Sequence, residues 1–146
     1  KTIDKKIIMY TYKIKEIIRV VDGDTVDVLI DLGFGTFKKE RVRLGGIDAP
    51  ESRTKDLYEK KLGLEAKAEL ERYFYNNKDC CFTIRTEKEG KYGRIIGWIH
   101  MEAVLDSINT LMVLNGYAQI YGSPKNKESF DELKCIRISR GTWSDS

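Results

Sequence analysis

The sequence predicts an α+β fold: a small closed five-stranded β-barrel with three α-helices packed around it. Two observations lead there. Three β-branched runs joined by tight turns open the chain, and a helical stripe then separates them from two further β-type runs.

The first strand spans Tyr10 to Val21, carrying Ile14, Ile17, Ile18, Val20 and Val21. Asp22-Gly23-Asp24 interrupts it with a hairpin signal. From Thr25 to Asp31 the pattern alternates, Val26, Val28 and Ile30 on one face and Asp27 and Asp31 on the other. Gly33-Phe34-Gly35 turns the chain again, and Phe37 to Leu44 forms a third strand with Arg41 and Arg43 opposite Val42 and Leu44. A charged loop over residues 52–62 precedes a helix from Gly63 to Asn77, whose stripe is Ala66, Leu70, Tyr73, Phe74 and Asn77. Strands follow at Cys80 to Thr86 and at Arg94 to His100, around a polar turn at 87–91. Asp106 caps a short helix that ends at Asn115-Gly116; Tyr117 to Tyr121 adds a brief strand. Ser123-Pro124 opens a last helix carrying Phe130, Leu133, Ile136 and Arg140 on one side, closed by Gly141. This order matches the OB-fold, whose open face binds oligonucleotides.

The 146 residues fit one domain over 10–146 behind a loose arm at 1–9. A chain of this length buries roughly 70% of its unfolded surface, enough for a core without staples. With 41% hydrophobic and 34% charged residues it is globular, and no stretch has the length of a membrane span. The net charge of +3 is too small to define a dedicated polyanion binder, so a nucleic-acid partner must be argued from where the charges lie. Cys80, Cys81 and Cys135 are odd in number and patternless, which predicts reduced, partly buried thiols. Together with the lack of a visible signal peptide they favour a cytoplasmic setting, while a chain that opens on Lys1 leaves secretion open.

The chemistry concentrates in Arg43-Leu44-Gly45-Gly46-Ile47-Asp48-Ala49-Pro50-Glu51. Pro50 forbids helix or central strand, and Ala49 before it is driven to extended backbone. The stretch should be a strand end and sharp turn that gathers two acids and an arginine. A hard cation would hold Asp48 and Glu51 together, and ligands that are all oxygen suggest Ca²⁺ or Mg²⁺ rather than zinc. The Ala49 carbonyl is available as a further ligand. Pro-Glu after a strand is often just a polar turn; against that stand the nearby Arg43 and the need to hold two acids close together. Asp24 shares the parity of Val26 and Val28, so a regular strand aims it inward, where it needs a partner charge; read alone, Asp22-Gly23-Asp24 is equally a turn. Lys91-Tyr92-Gly93-Arg94 reads alone as a solvated turn, but Arg94 beside Arg43 would grip one phosphate from two sides. Tyr92 and Tyr121 are placed to stack bases, whereas Tyr117 reads as core. His100, the one histidine, is assigned no role.

Val21-Asp22-Gly23-Asp24-Thr25-Val26, the Arg43–Glu51 stretch and Lys91-Tyr92-Gly93-Arg94 resemble the staphylococcal (micrococcal) nuclease family, also called thermonuclease-like. Gly63-Leu64-Glu65-Ala66, Leu114-Asn115-Gly116-Tyr117-Ala118 and the Trp143 segment extend the resemblance in the right order; the 116–143 segment is shorter than in the staphylococcal enzyme. The resemblance implies an OB-type barrel and a Ca²⁺-dependent nuclease acting on DNA and RNA, monomeric and off the membrane, leaving 3′-phosphate ends. It implies Asp24, Asp48 and the Ala49 carbonyl as Ca²⁺ ligands, with Asp22 behind them. Glu51 would be the general base, Arg43 and Arg94 would hold the phosphate, and Lys91, Tyr92 and Tyr121 would contact the nucleotide. A nucleic-acid-binding OB module with little catalysis is the alternative.

Overall fold

The structure, a computed structural model, describes residues 10–87 and 95–145. The proposed arm at 1–9, the turn at 88–91 and the residues Lys91, Tyr92 and Arg94 lie outside the described residues. In chain order the elements are β1 (Tyr10–Asp22), β2 (Thr25–Gly33), β3 (Thr36–Leu44), β4 (Ile47–Asp48), α1 (Leu57–Asn76), β5 (Phe82–Thr86), β6 (Ile95–Met101), α2 (Ile108–Leu114), β7 (Gln119–Ile120) and α3 (Lys127–Ser139).

Five strands close a barrel in the order β1-β2-β3-β6-β5. The first three form an antiparallel meander, and β5 returns antiparallel to β1. The seam between β3 and β6 is parallel, with Val42 beside Ile95 and Leu44 beside Gly97. Bulges in β1 between Ile14 and Glu16, Ile17 and Arg19, and Val20 and Asp22 bend that long strand around the barrel. Alternation decides what is inside: Val26, Val28, Ile30, Val42 and Leu44 are buried, and α1 caps them with Ala66, Leu70 and Phe74. The outward residues pair across strands. Arg41 donates to Asp27 through Nε at 2.8 Å and Nη2 at 3.2 Å.

A second, smaller core joins the start of α1 to α3 through Leu62, Phe130 and Leu133, with Tyr58 and Trp143 against it. Here Tyr58 donates its hydroxyl to Asp131 at 2.7 Å. Burial, and then the Asp131 carboxylate, push the Tyr58 hydroxyl well above its ordinary pKa. Buried Arg137 locks the same corner, donating to Glu65 at 3.0 Å and to the Thr142 carbonyl at 2.9 Å while stacking 4.2 Å from the Tyr117 ring.

Several boundaries differ from the sequence expectation. The 52–62 loop is helical from Leu57, because Asp56 caps the Tyr58 and Glu59 amides and Leu62 is buried against α3. Ser107, not Asp106, caps α2. The last helix starts at Lys127 with a capping box on Asn126, since Ser123 and Pro124 are spent in the preceding turn. β5 begins at Phe82, leaving Cys80 and Cys81 exposed, and Cys135 is exposed too, so the thiols are free but not partly buried.

Gly63 lies inside α1, where alanine would ordinarily be the better residue by about 1 kcal/mol. A Cβ there would collide with the Glu51 carbonyl and come within 2.6 Å of the Ser52 nitrogen. Gly63→Ala should therefore destabilise by about 1–3 kcal/mol in urea unfolding, the cost of overpacking; a gain would mean that the Glu51 loop yields freely. The Asp27 carboxyl is held below its usual range by its hydrogen bonds from Arg41. Its folded pKa is depressed, so its stabilising effect is present at neutral pH and is lost as pH falls through the folded value. Asp27→Asn should lower Tm at pH 7 but not at a pH below both values.

Candidate active site at the barrel mouth

The mouth is built by three segments meeting at one rim. The Asp22–Asp24 turn carries the first acid. Gly23 lets that turn approach, since a Cβ there would lie 2.7 Å from the Ala66 Cβ and 2.9 Å from the Ala49 Cβ. Asp24 is 8% exposed, as its inward parity requires. Its Oδ2 accepts from the Ala49 amide at 2.9 Å and its Oδ1 from the Thr25 hydroxyl at 3.1 Å. The partner charge that a buried carboxylate needs is Arg43, whose Nη2 is 3.6 Å from Oδ2.

Arg43 ends β3 opposite Thr25 and organises the turn beyond it. Its Nη1 donates to the carbonyls of Leu44 at 2.8 Å and Ile47 at 2.9 Å, and its Nη2 donates to Asp48 Oδ1 at 3.3 Å. Asp48 is fixed from behind by a two-stranded ladder, where Ile47 pairs with Ile120 and Asp48 with Gln119. The brief strand expected near 117–121 thus exists, and its partner is the acid-bearing turn. Glu51 follows Pro50 on the outer side with its side chain 57% exposed. Its amide donates to Glu59 Oε2 at 3.0 Å, which ties the segment to the first turn of α1.

Asp24, Arg43, Asp48, Ala49 and Glu51 are therefore brought together. Asp22 faces its own turn, accepting from the Gly23 amide at 3.1 Å. Tyr121 is exposed beside the site, its ring 5.8 Å from the Arg43 guanidinium carbon. It walls a cleft of about 400 Å³ together with Arg43, Gly45, Ile96 and Trp98. Tyr117 is core, as expected. Arg94, Lys91 and Tyr92 fall outside the described residues.

Three contributors were not singled out from the sequence. Lys125 brings its ammonium to 3.0 Å from the Ala49 carbonyl, 3.4 Å from Glu51 Oε2, 3.7 Å from Asp48 Oδ1 and 3.8 Å from Glu59 Oε2. Glu59 is drawn in by the longer α1; the pair Asp56…Glu59 has capping-box spacing, a readable signal for that helix start. Buried Asn109 stitches the turn to the parallel seam, donating to the carbonyls of Gly45 at 2.9 Å and Gly97 at 3.0 Å and accepting from the Ile99 amide at 3.1 Å. Among the described residues no three His, Cys, Asp or Glu side chains are grouped as a metal cage. The oxygens gathered here are two carboxylates and one main-chain carbonyl, with an ammonium already seated against that carbonyl.

An OB-type α+β barrel belongs to a fold class whose members bind oligonucleotides and oligosaccharides. Comparison with known proteins narrows the class. Residues 41–138 match the family model described as staphylococcal nuclease homologue, and the chain belongs to that family. It is similar to a micrococcal nuclease of Shigella flexneri, 33% identical over 89% of this chain and 73% of that protein. Protein ParB of Escherichia coli is 31% identical over 89% of this chain and 72% of its own length. Membership supports nuclease chemistry in the general sense.

Asn109→Ala would strand the Gly45 carbonyl and the Ile99 amide at the seam, while the Gly97 carbonyl keeps the Gly45 amide at 2.9 Å. Each unmet group costs about 1–3 kcal/mol, so the loss in denaturant unfolding should exceed that of a single group. A loss near zero would show that water replaces the amide.

Proposed function

We propose that the chain is a Ca²⁺-dependent phosphodiesterase that cuts DNA and RNA with a general-base-activated water and leaves 3′-phosphate ends. The observation that carries this reading is the convergence at one rim of Asp24 and Asp48 on Arg43, and of Asp48 and the Ala49 carbonyl on Lys125. The donor set fits a hard cation: every ligand atom is oxygen, and four carboxylates (Asp24, Asp48, Glu51, Glu59) meet two cations (Arg43, Lys125) among the described residues. An all-oxygen set rich in carboxylates suits Ca²⁺ or Mg²⁺. When bound, that ion supplies Lewis-acid stabilisation of a phosphoryl oxygen.

The protein's own groups do the rest. Asp24 and Asp48 hold their oxygens in fixed places, one clamped by the Ala49 amide and the other by the β4–β7 ladder. Glu51, on the solvent side, takes the proton from the attacking water. Arg43 supplies charge-assisted hydrogen bonds to the phosphate as negative charge grows, and Arg94 is assigned the same task from its place in the motif. Tyr121 offers an exposed ring for a base, and Lys91 and Tyr92 are assigned further nucleotide contacts. Asp22 holds the turn behind Asp24.

Glu51→Gln should lower cleavage about 10²–10⁴-fold, the usual worth of a general base. Arg43→Ala should lower it about 10²–10³-fold, the usual worth of one electrostatic clamp. Digestion of single-stranded DNA and RNA in Ca²⁺, Mg²⁺ and chelator is the direct measurement. Cleavage that chelator leaves intact would remove the metal from the reading. Binding of DNA without any cleavage would instead make the chain an OB-type binding module.

A further inference from the structure

We propose that Lys125 is a positioning residue that competes with the metal, so that it sets calcium affinity and holds Glu51 paired until the ion enters. The inference rests on the calcium reading above. The turn that carries Lys125 is fixed on both sides. Gln119 donates to the carbonyls of Ser123 and Pro124 at 3.0 Å each, and Asn126 next in line closes the capping box of α3. Only the side chain has freedom, and it is used to bring an ammonium onto the Ala49 carbonyl and toward Asp48, two of the three donors assigned to the metal.

A dication on that carbonyl and an ammonium 3.0 Å from it repel each other at close range. Occupancy by one therefore disfavours the other. Lys125 has room to withdraw: a cleft of about 340 Å³ lies beside it, lined by Asp56, Tyr58, Asn126, Lys127 and Phe130. Withdrawal also breaks the 3.4 Å contact with Glu51, so the same step that admits the ion releases the carboxylate assigned as base. Lys125 does not lie within ion-pair distance of Asp24, so Asp24 is a donor that the ammonium does not occupy.

The test is calcium titration of the full chain by calorimetry, without nucleic acid, in wild type, Lys125→Met, Lys125→Gln and Lys125→Arg. Lys125→Met should bind Ca²⁺ about tenfold more tightly, within the range usual for coupled sites. In chelator it should melt below wild type, because the acids lose their counter-ion, and saturating Ca²⁺ should narrow that gap. Lys125→Arg should keep an affinity near wild type. Lys125→Gln serves as the second neutral variant if the methionine variant does not fold. Unchanged or weaker calcium binding in the neutral variants, with an equal loss of Tm in calcium and in chelator, would make Lys125 merely structural and overturn this inference alone. Calcium binding by none of the proteins, wild type included, would overturn both it and the calcium reading.

Discussion

The Arg43 guanidinium is the interaction on which the mouth of this barrel depends. It stands where β3 ends and touches everything that must be held there: two main-chain carbonyls of the turn, Asp48, and Asp24 from the turn between β1 and β2. Two carboxylates so close to each other would repel and splay the turn without a cation between them. Arg43 performs that task with its side chain only 14% exposed, where screening by solvent is weak. The same contacts that stabilise the turn place the guanidinium at the rim, next to exposed Tyr121.

Close packing supplies the other half of the arrangement. Gly23 admits the acid-bearing turn against Ala66 and Ala49, and Gly63 admits the Glu51 segment against the same helix. The helix is thus a fixed wall for both acidic segments, and it is anchored in turn through Leu62, Phe130 and Leu133 to α3. Hydrophobic burial remote from the chemistry determines where Asp24 and Glu51 can lie.

Much of this was legible in the residues. The alternation of Val26, Val28 and Ile30 set the inward parity that carries Asp24, and Val42 and Leu44 did the same for the outward Arg43. Pro50 and the glycines before Asp48 marked a turn. What escaped had no local signature. The start of α1 hides in a charged stretch because its first residue, Leu57, and Lys60 face solvent, and only Tyr58 and Leu62 report the apolar side. Lys125 sits in a sequence of lysine, asparagine, serine and proline that reads as a solvated turn, and its meeting with Ala49 spans 76 positions of the chain. Asn109 and the β4–β7 ladder likewise join segments far apart in the chain, which periodicity cannot see.

The parallel seam between β3 and β6 has a consequence for how the protein forms. The meander needs only neighbouring strands, but joining Val42 to Ile95 brings together segments that a helix and β5 separate in the chain, and closing so large a loop carries an entropic cost before any contact is made. Gly45 is bound to Gly97 across that seam, so the turn that bears the second acid reaches its final shape only on closure. High contact order slows such folds. It also means that a partly folded chain, meander formed and seam open, would lack the assembled mouth.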